Sequence, residues 1–91
     1  MGKSNGRQSI FITGAASGMG RETARLFAAQ GWFVGGFDVN EAGLSDLQAE
    51  LGAENCLVRR LDVTDRDDYR AAIAAFGEAT GGKMDLLYNN A

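Results

Sequence analysis

Short apolar segments alternate with segments of helical periodicity along this chain. The apolar segments are 9–13, 32–37, 55–63 and 84–90, and the segments of helical periodicity between them are 18–30, 41–51 and 65–80. The apolar segments are continuous rather than interrupted at every second residue, which is typical of strands buried on both faces of a parallel sheet. We therefore predict an α/β fold, a doubly wound parallel sheet in the order β-α-β-α-β-α-β.

The connections between the segments predict the order of the strands. Right-handed crossovers carry the second and third strands to one side of the first, and the chain then crosses back to place the fourth on the other side. The expected order is 3-2-1-4, part of a Rossmann-type sheet with segment 84–90 at its edge. Because folds avoid uncovered apolar edges, we expect partner strands beyond Ala91.

Signals for helix ends support these boundaries. Asn40 is the expected N-cap of the second helix, and Gly52 is its expected stop. Thr64, three residues before Asp67, predicts a capping box at the start of the third helix. The apolar stripe of that helix is expected at Tyr69, Ala72, Ile73 and Phe76.

Three glycines lie between the first apolar segment and the first helical pattern. Gly14, Gly18 and Gly20 follow a strand and open a helix, and Asp38 stands eighteen residues beyond the last of them. Glycines at such a turn permit a tight bend, close approach of backbone N–H groups to a pyrophosphate, and close packing of the helix. An acid at that distance can bind the ribose of an adenosine. The combination predicts a dinucleotide-binding turn.

Two further glycines, Gly35 and Gly36, lie inside the second apolar segment. Glycine is unfavourable within a strand, and the pair indicates close approach by the first helix or by adenosine. The glycine turn with Asp38 assigns 9–91 to a dinucleotide-binding domain, and the uncovered edge at 84–90 leads us to expect that it is the N-terminal part of that domain, truncated. Residues 1–8 are expected to be a flexible lead-in.

Composition argues against several classes of function. The chain has 91 residues and a formal net charge of −3 with scattered basic residues, so we expect no nucleic-acid partner. No apolar run approaches the roughly eighteen residues of a membrane span, so we expect a soluble protein without membrane contact. One cysteine and no histidine give neither a disulfide framework nor a zinc site. We expect a cytoplasmic location and no bound metal.

The remaining reactive or charged groups have plain structural interpretations. Cys56, with no histidine to activate it, is expected to be a small buried hydrophobe rather than a nucleophile. Asp65, Asp67 and Asp68 are expected to form a solvated helix start favoured by the helix dipole, not a metal cluster.

Three motifs carry a resemblance to a known family. They are Thr-Gly-x-x-x-Gly-x-Gly at 13–20, Asp-Val at 62–63 and Asn-Asn-Ala at 89–91. In order and spacing the chain resembles the short-chain dehydrogenase/reductase family over nearly everything after Gln8. The resemblance implies a nicotinamide cofactor. It also implies that the cofactor-binding residues are Gly14, Ser17, Gly18, Met19, Gly20, Asp38, Asp62, Val63 and Asn90.

The resemblance also implies a role for several of these residues. Ser17 and the Met19 N–H are expected to donate to phosphate or ribose, and Asp62 with Val63 to meet the adenine. Asn90 resembles the asparagine that holds the sheet near the cofactor's ribose.

The cofactor is expected to be NAD, with NADP less favoured. The Asp38 carboxylate can bond both ribose hydroxyls and would repel a 2′-phosphate. Arg59 or Arg60 could still reach a 2′-phosphate from the neighbouring strand.

The family's proton-transfer residues are not within this sequence. The resemblance implies a Tyr-x-x-x-Lys pair, but Ile73 stands four residues after Tyr69, and Tyr88 lies within four residues of the end. No catalytic residue is therefore assigned, and these 91 residues alone are predicted to be inactive. The parent is expected to transfer hydride between nicotinamide and a small-molecule alcohol or carbonyl substrate, as a homo-oligomer.

Other interpretations stay open. The chain could be a complete noncatalytic nucleotide-binding module. Without the family, the glycines could form a packing turn, Asp62 could cap the turn after it, and Asn89-Asn90 could be a turn. S-adenosylmethionine enzymes share the sheet and the acid after the second strand, but their loop has another glycine spacing.

Overall fold

A computed structural model describes residues 2–90 of the chain. Met1 of the lead-in and Ala91 of the Asn-Asn-Ala motif lie outside the described residues. The elements in chain order are β1 (Ser9–Thr13), α1 (Gly18–Ala29), β2 (Phe33–Asp38), α2 (Glu41–Leu51), a 3-10 turn (Ala53–Asn55), β3 (Cys56–Arg60), α3 (Arg66–Thr80) and β4 (Leu86–Asn89).

The four strands form one parallel sheet in the order β3-β2-β1-β4, which confirms the predicted topology. Thr13 at the end of β1 is in register with Phe37 on β2 and Asn89 on β4. Asp38 at the end of β2 is in register with Arg60 on β3. All four strands therefore end at one edge of the sheet, and the loops that follow them meet there.

Helices cover both faces of the sheet, so the fold is doubly wound as predicted. One apolar cluster joins β1, β2 and β3 to α1 and α2 through fully buried side chains such as Ile12, Val34 and Leu47. The other cluster, on the α3 side, is aromatic: Phe11 stacks on Phe37 at 4.2 Å between ring centroids and meets Phe76 edge-on at 5.4 Å. Each aromatic pair adds about 0.5–1.5 kcal/mol beyond the area it buries.

The glycines within β2 contact elements other than the predicted α1. A Cβ on Gly35 would lie 2.5 Å from Cδ1 of Phe76 on α3. A Cβ on Gly36 would lie 3.3 Å from both the Ala15 Cβ and the Leu47 Cδ2. The predicted approach by α1 was therefore wrong, since α3, α2 and the loop after β1 make the nearest contacts; approach by adenosine stays a prediction.

The starts of α2 and α3 give one confirmed and one wrong prediction. Asn40 caps α2, and its side chain accepts a hydrogen bond from the Gly43 N–H at 3.0 Å. α3 is capped by Asp65, which accepts from the N–H groups of Asp67 and Asp68. The predicted Thr64 capping box is absent because the Thr64 hydroxyl donates to Asp62 Oδ1 instead, at 2.6 Å.

The side chains of the predicted α3 stripe differ in burial. Ile73 of the α3 stripe is 45% exposed, whereas Ala72 and Phe76 are buried.

The single cysteine lies in the core. Cys56 is fully buried in β3, as predicted. Burial, and secondarily the nearby Glu54 carboxylate, raises the pKa of the Cys56 thiol to about 11. That thiol stays protonated at neutral pH and is a poor nucleophile.

Residues 2–7 lie across the amino ends of the strands. The Arg7 guanidinium donates to Asn55 Oδ1 at 2.8 Å and to the Glu54 carbonyl at 2.9 Å. The Ser4 N–H donates to the Ala79 carbonyl at 2.8 Å. These contacts define a path for the segment against the 3-10 turn and α3, and its predicted flexibility stays a prediction.

The β4 edge carries apolar side chains in contact with solvent. Leu86 is 42% exposed and Leu87 is 51% exposed, as expected for the uncovered edge of the sheet. Within residues 2–90, no helix has both the length and the apolar character needed to cross a membrane.

Candidate functional site

A cleft of about 340 Å³ opens where the carboxyl ends of the strands meet. Ligands of open α/β sheets bind at this edge, where the strand order reverses on either side of β1. Loops after all four strands contribute to it. The cleft is lined by Gly14, Ser17, Phe37, Asp38, Val39, Leu61, Asp62, Val63 and Asn90.

The cleft brings together most of the residues that the sequence singled out. Six line it: Gly14, Ser17, Asp38, Asp62, Val63 and Asn90. The other three, Gly18, Met19 and Gly20, lie in the first turn of α1. Met19 is 70% exposed, while Gly20 is buried against the loop.

Three apolar lining residues were missed by the sequence reasoning. Phe37 and Leu61 are buried, whereas Val39 is 58% exposed beside Asp38. Each is adjacent in the chain to a predicted polar site residue, Asp38 or Asp62. That adjacency could have suggested them, because a pocket needs apolar walls around its few polar groups.

The glycine turn leaves space where backbone must approach a ligand or another chain segment. Gly14 has φ 68° and Gly18 has φ 60°, a conformation that side chains rarely adopt. A Cβ on Gly20 would overlap the carbonyl oxygen of Gly14, so only glycine lets α1 start this close to the loop. A Cβ on Gly18 would meet no heavy atom within 4 Å, which leaves the space beside the start of α1 open.

The start of α1 is suited to an anion. Ser17 is its N-cap in an extended conformation, and among the described residues its side chain makes no capping hydrogen bond. The first N–H groups of a helix lack partners within the helix, and the dipole places partial positive charge there. A phosphate is therefore favoured at this turn, next to Gly18.

Asp38 is bonded to the loop as well as facing the cleft. Its Oδ2 accepts from the Ala16 N–H at 3.0 Å, and its Oδ1 accepts from the Asn40 N–H at 3.1 Å. The Ala15 N–H donates to the Phe37 carbonyl at 3.1 Å. The end of β2 thus fixes the loop after β1.

The Asp62 turn is held from α3. Asp62 Oδ1 accepts from the Thr64 hydroxyl and N–H, and these bonds lower the pKa of the Asp62 carboxyl. Its own N–H donates to Asp68 Oδ2 at 2.9 Å, and Asp68 Oδ1 accepts from Arg59 Nη1 at 3.0 Å. The pKa of Asp68 is lowered, first by the Asp62 N–H and then by Arg59. Asp68, expected to be solvated helix surface, instead holds the Asp62 turn at one side of the cleft.

Hydrogen bonds of the Thr13 hydroxyl join the ends of β1 and β4, and we call this pair of bonds the polar latch. The Thr13 hydroxyl donates to Asn89 Oδ1 at 2.7 Å and accepts from the Asn90 N–H at 3.0 Å. A Cβ on Gly14 would lie 3.1 Å from the Asn90 carbonyl oxygen. This latch sets Asn90 directly against the glycine turn.

The sequence profile of the family described as short chain dehydrogenase matches residues 8–91 of this chain. The chain belongs to the short-chain dehydrogenase family. Its glycine turn, its Asp62-Val63 turn and Asn90 line one cleft.

Relatives of this family are similar to the chain in sequence and in structure. Serine 3-dehydrogenase from Agrobacterium fabrum is 41% identical over 91% of this chain and 32% of that protein. A structure of a short-chain dehydrogenase/reductase from Burkholderia phymatum in complex with NAD superposes with a TM-score of 0.84 and 34% identity, over 96% of this chain and 31% of that one.

Another superposed structure holds the phosphorylated cofactor. An actinorhodin polyketide ketoreductase variant with NADPH matches with a TM-score of 0.87 and 32% identity, over 100% of this chain and 35% of that one. The chain therefore spans about a third of the length of these relatives. Nicotinamide cofactors occur in the neighbouring structures in both forms, NAD and NADPH.

The residues present fit a dinucleotide. A pyrophosphate requires open space, which Gly18 leaves. A ribose requires a hydrogen-bond acceptor such as the Asp38 carboxylate, and an adenine requires an apolar wall such as Val39. Tyr69 is less suited to acid–base chemistry, because it packs on the Phe11 ring and Ile73 rather than a lysine stands four residues on. Within the described residues, the site can bind and orient a cofactor.

Proposed function

We propose that this chain is the cofactor-binding segment of an NAD(P)-dependent short-chain oxidoreductase, which transfers hydride between nicotinamide and an alcohol or carbonyl substrate. The observation that carries the proposal is the cleft itself, with the open glycine turn on one side and the Asp38 carboxylate on the other. The nicotinamide supplies the hydride acceptor or donor when bound. The chain's own residues supply binding and orientation.

The cofactor's parts are assigned to three places in the cleft. Ser17 and the Met19 N–H would hold the pyrophosphate at the start of α1, where Gly18 leaves room. Asp38 would bond the adenosine ribose, and the Asp62-Val63 turn and Val39 would hold the adenine. Gly14 and Gly20 let the loop and α1 pack closely enough to form the turn.

We further propose that NAD is favoured over NADP. The support is the Asp38 carboxylate at the cleft, where a 2′-phosphate would be repelled. Arg59 is paired with Asp68 at 3.0 Å and so is already engaged. Arg60 stands opposite Asp38 in the sheet register and is the remaining basic residue that could offset the carboxylate.

The hydride-transfer step needs groups outside these 91 residues, because no Tyr-x-x-x-Lys is present. A noncatalytic nucleotide-binding module is the second candidate function, and it shares the same cleft. The alcohol or carbonyl substrate, the homo-oligomeric parent and the cytoplasmic location stay predictions.

Calorimetric titration of the purified chain with NAD⁺ and with NADP⁺ tests the proposal. We expect saturable binding of both, tighter for NAD⁺, and no reduction of NAD⁺ in the presence of a panel of alcohols. If neither NAD⁺ nor NADP⁺ binds, both candidate functions are contradicted. Turnover of an alcohol by a longer form of the protein would decide for the oxidoreductase over the module.

A further inference from the structure

The loop that carries the glycine motif is packed against two glycines outside the motif. Ala15 and Ala16 are both buried. Gly36 on β2 faces the Ala15 methyl, and Gly43 in the first turn of α2 faces the Ala16 methyl. The methyl groups of Ala15 and Ala16 thus pack against glycines, which have no side chain.

The contact at Gly43 is the tighter of the two. A Cβ on Gly43 would lie 2.8 Å from the Ala16 Cβ and 3.2 Å from the Ala16 carbonyl oxygen. The corresponding distance from Gly36 to the Ala15 Cβ is 3.3 Å. Carbon atoms pack at about 3.5–4.0 Å, so a methyl group on Gly43 would have to displace Ala16.

Ala16 cannot move without disturbing Asp38. The Ala16 N–H donates to Asp38 Oδ2 at 3.0 Å, and the same carboxylate lines the cleft. A shift of Ala16 away from α2 would therefore lengthen this bond and carry Ser17 with it. Gly43 does not line the cleft and has no side chain with which to touch a ligand.

We propose that Gly43 is a positioning residue of the cofactor site: its missing side chain lets Ala16 seat against α2 and thereby places the loop on Asp38. The inference rests on the proposed function, because it concerns the affinity for the same cofactor. Conformational freedom is not the reason for this glycine, since Gly43 is not among the residues with positive φ.

Gly43→Ala and Gly77→Ala make a matched pair. Both glycines lie within helices, but a Cβ on Gly77 in α3 would meet nothing within 4 Å. Because overpacking would displace the loop, we expect Gly43→Ala to lower the cofactor affinity by about tenfold, which is about 1.4 kcal/mol. Gly77→Ala should stay within about twofold of the unchanged chain. Equal affinities for the two variants would overturn the proposal.

A compensating substitution separates loop displacement from damage to the helix cap. A Cβ on Gly43 would also lie 2.9 Å from Nδ2 of the capping residue Asn40. If Ala16 is the obstacle, Gly43→Ala introduced together with Ala16→Gly should change the affinity by less than about threefold relative to Ala16→Gly alone. The same loss in both backgrounds would overturn the proposal in favour of an effect through Asn40.

A measurement without cofactor keeps this inference distinct from the proposed function. Amide hydrogen exchange at residue 16 reports its bond to Asp38. We expect faster exchange in Gly43→Ala, with protection restored in the double variant. If the unchanged chain binds neither cofactor but exchange follows this pattern, the proposed function fails, while the placement of Ala16 on Asp38 by Gly43 is still supported. Unchanged exchange at Ala16 in Gly43→Ala would overturn the positioning role.

The double variant also covers the case in which Gly43→Ala does not fold. Folding of the double variant would then support the role, and its failure to fold would contradict the role.

Discussion

The Asp38 carboxylate accepts a hydrogen bond from the Ala16 N–H at 3.0 Å, so the acid that faces the cleft also holds the loop beside it. Asp38→Ala would remove both functions at once. Asp38→Asn keeps one oxygen that can accept from the Ala16 N–H, gives up the bond that the other oxygen accepts from the Asn40 N–H, and removes the charge that acts on a 2′-phosphate. Asparagine therefore tests cofactor choice with a smaller loss to the loop than alanine.

Asp38→Asn should lower the NAD⁺ affinity and leave the NADP⁺ affinity unchanged or higher. Hydrogen bonds to a charged group contribute about 1.5–3 kcal/mol, so we expect the NAD⁺ to NADP⁺ preference to fall by about tenfold or more. Calorimetric titration with both cofactors measures this. Asp46→Asn, on the exposed side of α2, is the control. Equal losses for both cofactors would remove Asp38 as the discriminating group.

Gly18→Val should abolish cofactor binding while the chain keeps its helical circular dichroism. The side chain would fill the open space at the start of α1 and force a valine to φ 60°. Gly31→Val is the matched control at the other end of α1, with φ 86° and equally open space, but away from the cleft. Both should lose about 1–2 kcal/mol of stability, and only Gly18→Val should lose binding. Retained affinity in Gly18→Val would refute the phosphate-binding turn.

Asp68→Asn should weaken cofactor binding modestly, and it should make the free energy of unfolding depend less on pH in acid. The folded pKa of Asp68 lies below its unfolded value of about 3.9. Its contribution is therefore complete above that value and is lost as pH falls through the lower folded pKa. Denaturant unfolding between about pH 3 and 7 should show a shallower decline for Asp68→Asn than for the unchanged chain. Asp67→Asn, one residue away and exposed, should leave the slope as it was.

Cys56 should react with thiol reagents far more slowly in the folded chain than in urea. The side chain is fully buried and its pKa is raised to about 11, so little thiolate forms at neutral pH. Since the unfolded thiol ionises near pH 8.5, the free energy of unfolding should also fall between about pH 8.5 and 11. Rapid labelling of the native chain at pH 7 would show that β3 opens readily.

The strand order and the two covered faces could be predicted because continuous apolar runs and short connections leave few alternatives. The α2 boundaries, 41–51, were predicted correctly, since Asn40 and Gly52 are both strong end signals. The start of α3 was not. Thr64 and Asp65 are both good capping residues, and the competition was decided by Asp62, which takes the Thr64 hydroxyl.

Contacts between distant segments were the part that the sequence could not supply. The closeness of Phe76 to Gly35 and of Ala16 to Gly43 depends on how helices settle on the sheet. The hydrogen bond from the Asp62 N–H to Asp68 likewise depends on the path of the turn after β3. Motif spacing predicted six of the residues that line the cleft, and packing determined which residues hold them in place.

Amide chemical-shift mapping during titration of the chain with NAD⁺ tests the central claim most directly, because it reports both binding and place. We predict saturable shifts at the amides of the loop after β1, at Asp38 and at the Asp62-Val63 turn, with none at the far end of the sheet around Ser4 and Asn55. Shifts confined to that far end, or the absence of any saturable shift, would contradict the assignment of this cleft as the cofactor site.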